Sequence, residues 1–272
     1  MADRAVDPHL GPARSGGRGR GTAHARLRCR ENRLKEEAKQ SDGNNTVRPG
    51  ACSAQPKKAR YDEATIAAIL DRALVAHIAF VVDGQPVCIP TLCARTGGSV
   101  YIHGSRASRT MRVLGSGGRA CLTATLVHGL VLARSAFEHS VNYESVIAFG
   151  RLVEIDGDQE RLAALQAFTD KLIPGRFGEV RPPSRQELKA TMILRMEIEE
   201  ASAKVRRGPP DDDDTADALQ DTWAGEVPIL TRFSAPVPSP ALRPSIGLPK
   251  SVERLLAGTQ AIPPSSQPHG PR

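Results

Sequence analysis

Residues 75–104 read VAHIAFVVDGQPVCIPTLCARTGGSVYIHG, three strand-forming apolar runs cut by two dipeptides, Asp83-Gly84 and Gly97-Gly98. Asp-Gly and Gly-Gly accept the positive φ angles that tight hairpin turns require. The expectation is therefore an antiparallel meander. Parallel strands need crossovers of a dozen or more residues, so a doubly wound α/β sheet is disfavoured. Cys88 and Cys93 fall five apart on one run, which predicts that they point to opposite faces.

Working outward from this stretch, Ala64–Ala73 (ATIAAILDRA) places Ile66, Ile69 and Leu70 on one side of a short helix. Downstream, Arg119–Val127 predicts a fourth strand and Val141–Glu154 a longer fifth one. Residues 128–140 between them fit either a strand edge or a loop. Asp158–Ile173 is a helix with Leu162, Leu165, Phe168 and Leu172 at helical spacing. A Pro/Gly/Arg loop follows at 174–184. Ala190–Glu200 (ATMILRMEIEE) then alternates Met192, Leu194, Met196 and Ile198 with Ile193, Arg195 and Glu197, the period of a strand. The fold class expected is mainly β within α+β: a six-stranded antiparallel Greek-key barrel with flanking helices.

The chemistry concentrates in Ser99–Leu114, SVYIHGSRASRTMRVL. Val100, Tyr101 and Ile102 favour a strand. His103 to Arg106 break it, and Ser108 caps a helix carrying Met111 and Leu114 on one face. Unpaired N–H groups at a helix start, two hydroxyls, and the guanidinium groups of Arg106, Arg109 and Arg112 favour a phosphate dianion there. The same residues would also suit a capped, solvated surface helix.

The formal charge of +7 suggests nucleic acid until it is divided along the chain. Residues 1–60 hold 14 Lys/Arg against 6 Asp/Glu, residues 61–230 hold 18 against 23, and residues 231–272 hold 5 against 1. The positive charge lies in the two ends, so a nucleic-acid role is not expected beyond the alternative of a weak electrostatic arm in residues 1–60. Residues 1–60 carry few large apolar groups, so a disordered basic tail is expected. Residues 231–272 are Pro-rich and read likewise, leaving one folded domain over 61–230. No apolar run approaches a membrane span, and no signal peptide is evident. The five cysteines, Cys29, Cys52, Cys88, Cys93 and Cys121, lack paired metal spacing. They predict reduced, mostly buried thiols in a cytoplasmic protein, with no metal site.

In order, DGQPVCIPTL, VYIHGSRASRTMRVL, RACLTATL and HSVNYESVIAFGRLVEI resemble the FMN-binding split-barrel family of pyridoxamine 5'-phosphate oxidase, in particular its branch that includes nitroimidazole-resistance proteins. The segment Lys204–Ile229 resembles the end of that branch, so the likeness covers about residues 60–230. The resemblance implies FMN as cofactor. Ser108 and Arg109 match the family's phosphate-gripping Ser-Arg-Lys turn, and Thr110 stands where Lys is usual, so Arg106 or Arg112 would have to compensate. Pro90, Thr91 and Leu92 match the segment lining the flavin ring, with Ile89 where a basic residue is expected. Ile102 and His103 match the strand end beside phosphate and ring. Ser145 falls where a polar side chain reaches the flavin.

The resemblance also implies a homodimer with the flavin at the interface, and an oxidoreductase acting on an unidentified small molecule. A non-catalytic flavin or heme carrier is the alternative, and a deazaflavin can stand in place of FMN. His139, beside Asn142 and Tyr143, is the histidine singled out as a possible heme ligand. Trp223 either anchors the chain end or closes over a ligand, and Asp211–Asp214 is expected to be a solvated loop.

Overall fold

The computed structural model describes residues 58–259. The expectations for residues 1–57 and 260–272, with Cys29 and Cys52, lie outside the described residues. After the two-residue strand β1 (Ala59–Arg60), helix α1 (Glu63–Arg72) starts on Asp62, whose carboxylate accepts the Thr65 N–H at 2.8 Å. Its apolar side buries Ile66, Ile69 and Leu70, as the sequence spacing requires.

Strands β2 (Ala76–Val82) and β3 (Gln85–Thr91) form a hairpin on Asp83-Gly84, both at positive φ. Strands β4 (Cys93–Thr96) and β5 (Ser99–Ser105) form a second one on Gly97-Gly98. The middle run is thus not one strand of a meander. It breaks at Leu92 and changes partner, so Cys88 and Cys93 sit on different strands.

The chain continues through α2 (Arg109–Gly115), β6 (Ser116–Leu132), β7 (Ser140–Glu154), α3 (Asp158–Leu172), α4 (Arg185–Ala190), β8 (Thr191–Glu197), β9 (Glu200–Arg206), β10 (Gly225–Pro228) and α5 (Lys250–Thr259). Residues 128–132 are therefore strand. Ten strands form among the described residues where six are expected: β9 and β10 carry weak alternation, and Ala190–Glu200 is the end of α4 followed by β8 rather than one strand. The C-terminal region is not wholly tail, since α5 lies within it and the Ser251 N–H donates to Glu179 at 2.9 Å.

The strand order is β3-β2-β6-β7-β8-β5-β4, with β9 on β7 and β1, and β10 on β6. β3 and β4 stand at opposite ends of this order, yet only Leu92 separates them in the chain. A single residue spans under about 4 Å per peptide step, so the sheet must curl until its edges meet. The inward residues Ile78, Val100, Ile102, Leu122, Leu152, Leu194 and Met196 are each at most 2% exposed. α1 closes one end of this core with Ile69 and Leu70. A second apolar layer joins α3 to the barrel exterior through Ala94, Tyr101, Ile155, Ala164, Phe168 and Ile193. β8 and β9 run along β7 as one bent ribbon, and at the bend a Cβ on Gly150 would lie 2.2 Å from the Glu197 carbonyl oxygen. Only glycine allows that approach.

Candidate functional site

The turn between β5 and α2 forms as the sequence predicts. Ser108 caps α2, its hydroxyl accepting the Met111 N–H at 3.4 Å, and Ser105 Oγ accepts the Ala107 N–H at 3.2 Å. Met111 and Leu114 anchor the helix in the barrel. Gly104 permits this, because a Cβ there would fall 2.8 Å from Met111 Cγ.

Of the three arginines, Arg106 turns away to an ion pair with Glu154 and a hydrogen bond to the Lys189 carbonyl. Arg112 donates to the Ala107 carbonyl at 3.0 Å. Arg109 is exposed and has no ion pair among the described residues, and the first turn of α2 holds no acidic residue. Arg109 is therefore the guanidinium left to meet an anion. Arg106, being neutralised by Glu154, does not supply the charge that Thr110 lacks.

Around this turn the structure gathers part of the expected set. Cys93 pairs with Ile102, which brings Leu92 beside His103 and puts Pro90–Leu92 on the same side of the barrel as the turn. Several side chains face elsewhere. Ile102 is 2% exposed inside the barrel and offers only backbone. Leu92 packs on the layer under α3. Thr91 Oγ1 donates to the Leu92 carbonyl at 3.2 Å, and Pro90 is exposed opposite His77. His103 is exposed as a residue, but its ring meets Phe168 edge-on, centroids 4.5 Å apart, and the water displaced by that contact holds the imidazole below its usual pKa.

Ser145 is not brought to this group. It stands half-buried on β7, between Thr125 and Lys204. β7 reaches the end of α2 at the pair Ser116↔Val153, eight residues further along, or about 26 Å at ~3.3 Å per residue. Within one chain, Ser145 and Arg109 are too far apart to hold the same end of a ligand.

Two other expectations change. Asp211–Asp214 is not a solvated run: Asp212 is fully buried and accepts the Arg134 N–H at 2.7 Å and its guanidinium at 2.8 Å. Trp223 is 65% exposed, with its ring against Gly225. Of the cysteines with known placement Cys93 is buried, Cys121 half-buried and Cys88 exposed, all three as free thiols. His139 is exposed, with Nδ1 2.8 Å from the Ser135 carbonyl.

A second polar cluster lies at the end of the barrel near the C-terminus of α1. Glu144, with a side chain only 4% exposed, forms ion pairs with Arg72 and Arg207, and His128 Nε2 lies 3.6 Å from its Oε2. Burial and the two guanidinium groups hold the His128 imidazole below its usual pKa, hence neutral at pH 7. The sequence carried a signal for this cluster: Glu144 occupies the inward phase of β7 with Asn142, Val146 and Ala148. A charged residue at a core phase is rare unless paired.

No helix among the described residues is long and apolar enough to cross a membrane. The family model described as pyridoxamine 5'-phosphate oxidase matches residues 62–205. No curated protein sequence matches the chain at a significant level. Among solved structures, the FAD and heme binding protein of Mycobacterium smegmatis is 38% identical, with a TM-score of 0.70, over 73% of this chain and 97% of its own. The flavocytochrome Anf3 of Azotobacter vinelandii is 39% identical, with a TM-score of 0.68, over 73% of this chain and 92% of its own. A 5-nitroimidazole antibiotic resistance protein of Bacteroides thetaiotaomicron is 18% identical, with a TM-score of 0.47, over 54% of this chain and 87% of its own.

Proposed function

Because the chain belongs to the pyridoxamine 5'-phosphate oxidase family, we propose that it is a flavin-dependent redox protein that also carries heme. The observation that carries this reading is its 38–39% identity, over nearly the whole of each, to an FAD and heme binding protein and a flavocytochrome. The same likeness favours FAD over the FMN expected from the sequence. Heme moves from an alternative to a second cofactor.

The residues present fit a flavin phosphate. Arg109 is uncommitted at a helix start free of acidic groups, Ser105 and Ser108 present hydroxyls at the same turn, and Thr110 adds a third. Arg109 would bind the phosphate by charge-assisted hydrogen bonds. The backbone of Pro90–Leu92 and the end of β5 at Ile102–His103 would line the ring. The neutral His103, wedged on Phe168, would hold that wall in place without adding charge. A flavin supplies hydride and single-electron chemistry, and heme iron exchanges single electrons or binds dioxygen. The protein's part is to bind, orient and screen both groups.

A second copy of the chain completes the site in this proposal. Ser145 lies about 26 Å along β7 from the α2 end, so it would serve the flavin bound mainly by the partner. The half-exposed outer residues of β6 and β7, among them Thr125, Tyr143, Ser145 and Ile147, would form the interface. The free thiols suit a reducing cytoplasm. The substrate is a small molecule that accepts or donates electrons at the flavin.

An absorbance spectrum of the purified chain, with gel filtration, tests the reading. Oxidised-flavin bands and a Soret band co-eluting at a dimer's volume are expected, as is bleaching of the flavin by a reduced nicotinamide donor. A preparation that retains neither chromophore after incubation with FAD and hemin would overturn it. Bound flavin that no donor reduces would make the chain a carrier.

A further inference from the structure

We infer that residues 230–248 form a strap that packs against a second copy of the chain, and that the recess beside this strap receives Phe137 of the partner subunit. The inference rests on the homodimer proposed above. Its evidence is separate: a proline-stiffened segment pinned at both ends, its apolar side chains in water, next to an apolar recess.

The strap is tied to the barrel on both sides. Before it, the Ile229 N–H donates to the His128 carbonyl at 2.8 Å, next to the pairing of β10 with β6; after it, the Ser251 N–H donates to Glu179 at 2.9 Å. Between these ties stand Pro236, Pro238, Pro240 and Pro244, which fix φ and remove N–H donors. Two local turns shape the segment instead, Leu242 N–H to the Ser239 carbonyl and Ile246 N–H to the Arg243 carbonyl. A segment held this way loses little entropy on binding. Leu230 is 63% exposed, Phe233 51% and Val237 91%. With Leu242, Ile246, Leu248 and Phe137 they leave on the order of 800 Å² in water, one partner's share of a stable interface. Residues 231–249 hold Arg232, Arg243 and no acidic group, whereas residues 61–230 hold 18 Lys/Arg against 23 Asp/Glu. The strap is thus complementary in charge to a second barrel.

The recess has a volume of about 650 Å³ and is walled by Pro236, Val237, Leu242, Ile246 and Leu248, together with the Arg176–Glu179 ion pair. Phe137 is the matching knob. It is 90% exposed, so the recess of its own chain does not hold it. It stands in the loop between β6 and β7, the strands of the proposed interface. That loop is held in shape: Asp212 accepts the Arg134 N–H at 2.7 Å, and the Ser135 carbonyl lies 2.8 Å from His139 Nδ1. An aromatic ring on a fixed loop is the kind of anchor that fills a partner's pocket. Two-fold symmetry repeats the contact, each copy inserting one Phe137 and receiving one.

The test is sedimentation of the full-length protein over a range of concentrations. Wild type is expected to be a dimer. Phe137→Glu and Val237→Glu, at side chains too exposed to matter for folding, should each weaken dimerisation at least about 30-fold, the scale of a lost anchor residue. Leu162→Glu, at an exposed position of α3, should leave it unchanged. Phe137→Cys combined with Val237→Cys should give a covalent dimer on mild oxidation, which neither single variant gives. A disulfide closed within one chain, or dimerisation unaffected by both glutamates, would overturn the strap contact and leave the homodimer standing. Wild-type protein that sediments as a monomer would overturn the homodimer itself.

Discussion

Gly150→Ala tests the account of how the sheet curls. Gly150 faces the bend of the β8–β9 ribbon, where an added Cβ would sit 2.2 Å from the Glu197 carbonyl oxygen and 2.8 Å from Met196 Cγ. The Met196 side chain is 1% exposed and has no open space to enter, and the Glu197 contact is with backbone. The ribbon must therefore move by about 1 Å to restore van der Waals distance. That movement strains the Glu199 N–H to Phe149 carbonyl bond, 2.9 Å long, and the neighbouring Leu152↔Met196 pairing. Overpacking of this kind costs about 1–3 kcal/mol, and one backbone hydrogen bond about 0.5–1.5 kcal/mol. The variant should lose about 2–4 kcal/mol, read as a lowered urea midpoint at an unchanged slope. Gly98→Ala is the control, since nothing lies within 4 Å of a Cβ there. It should fall within about 1 kcal/mol of wild type. A Gly150→Ala protein as stable as wild type would refute the close approach of β8–β9 to β7.

Arg109→Ala should weaken flavin binding by about 1.5–3 kcal/mol, the range for a charge-assisted hydrogen bond, measured by quenching of flavin fluorescence; an unchanged Kd would remove Arg109 from the site. His103 is exposed overall, but its ring packs on Phe168 and its pKa is held below its unfolded value of about 6.5, so its contribution to stability is complete above that pH and is lost as pH falls through the folded value. His103→Gln should therefore flatten the decline of the urea midpoint below pH 6.5, and an equally steep decline in the variant would rule out this source of acid sensitivity. Asp212→Ala should lower the melting temperature clearly, because the Arg134 N–H loses its acceptor, whereas Asp213→Ala, at a side chain 69% exposed, should leave it nearly unchanged. Equal effects of the two would mean that Asp212 is not the buried member of the pair.

The sequence by itself determined what depends on neighbours in the chain. Asp83-Gly84 and Gly97-Gly98 specify two hairpins because φ preferences are local. Ser108 caps α2 because a hydroxyl three residues before Met111 N–H needs no partner from elsewhere. The spacing of Ile66, Ile69 and Leu70 declares a buried helix face for the same reason. The order of four motifs was enough to place the chain in its family.

Only the tertiary structure decided what depends on distant segments meeting. Leu92 looks like the middle of a strand until β3 and β4 prove to have different partners on opposite edges of a curled sheet. Asp212 looks solvated until Arg134, 78 residues away, turns its N–H toward it. Arg106, Arg109 and Arg112 are alike as letters, and only the positions of Glu154 and the Ala107 carbonyl leave Arg109 uncommitted. The cluster of Arg72, His128, Glu144 and Arg207 joins α1, two strands and the residue after β9. No spacing rule connects positions so far apart, because burial and charge act through space and depend on which segments the closed sheet brings together.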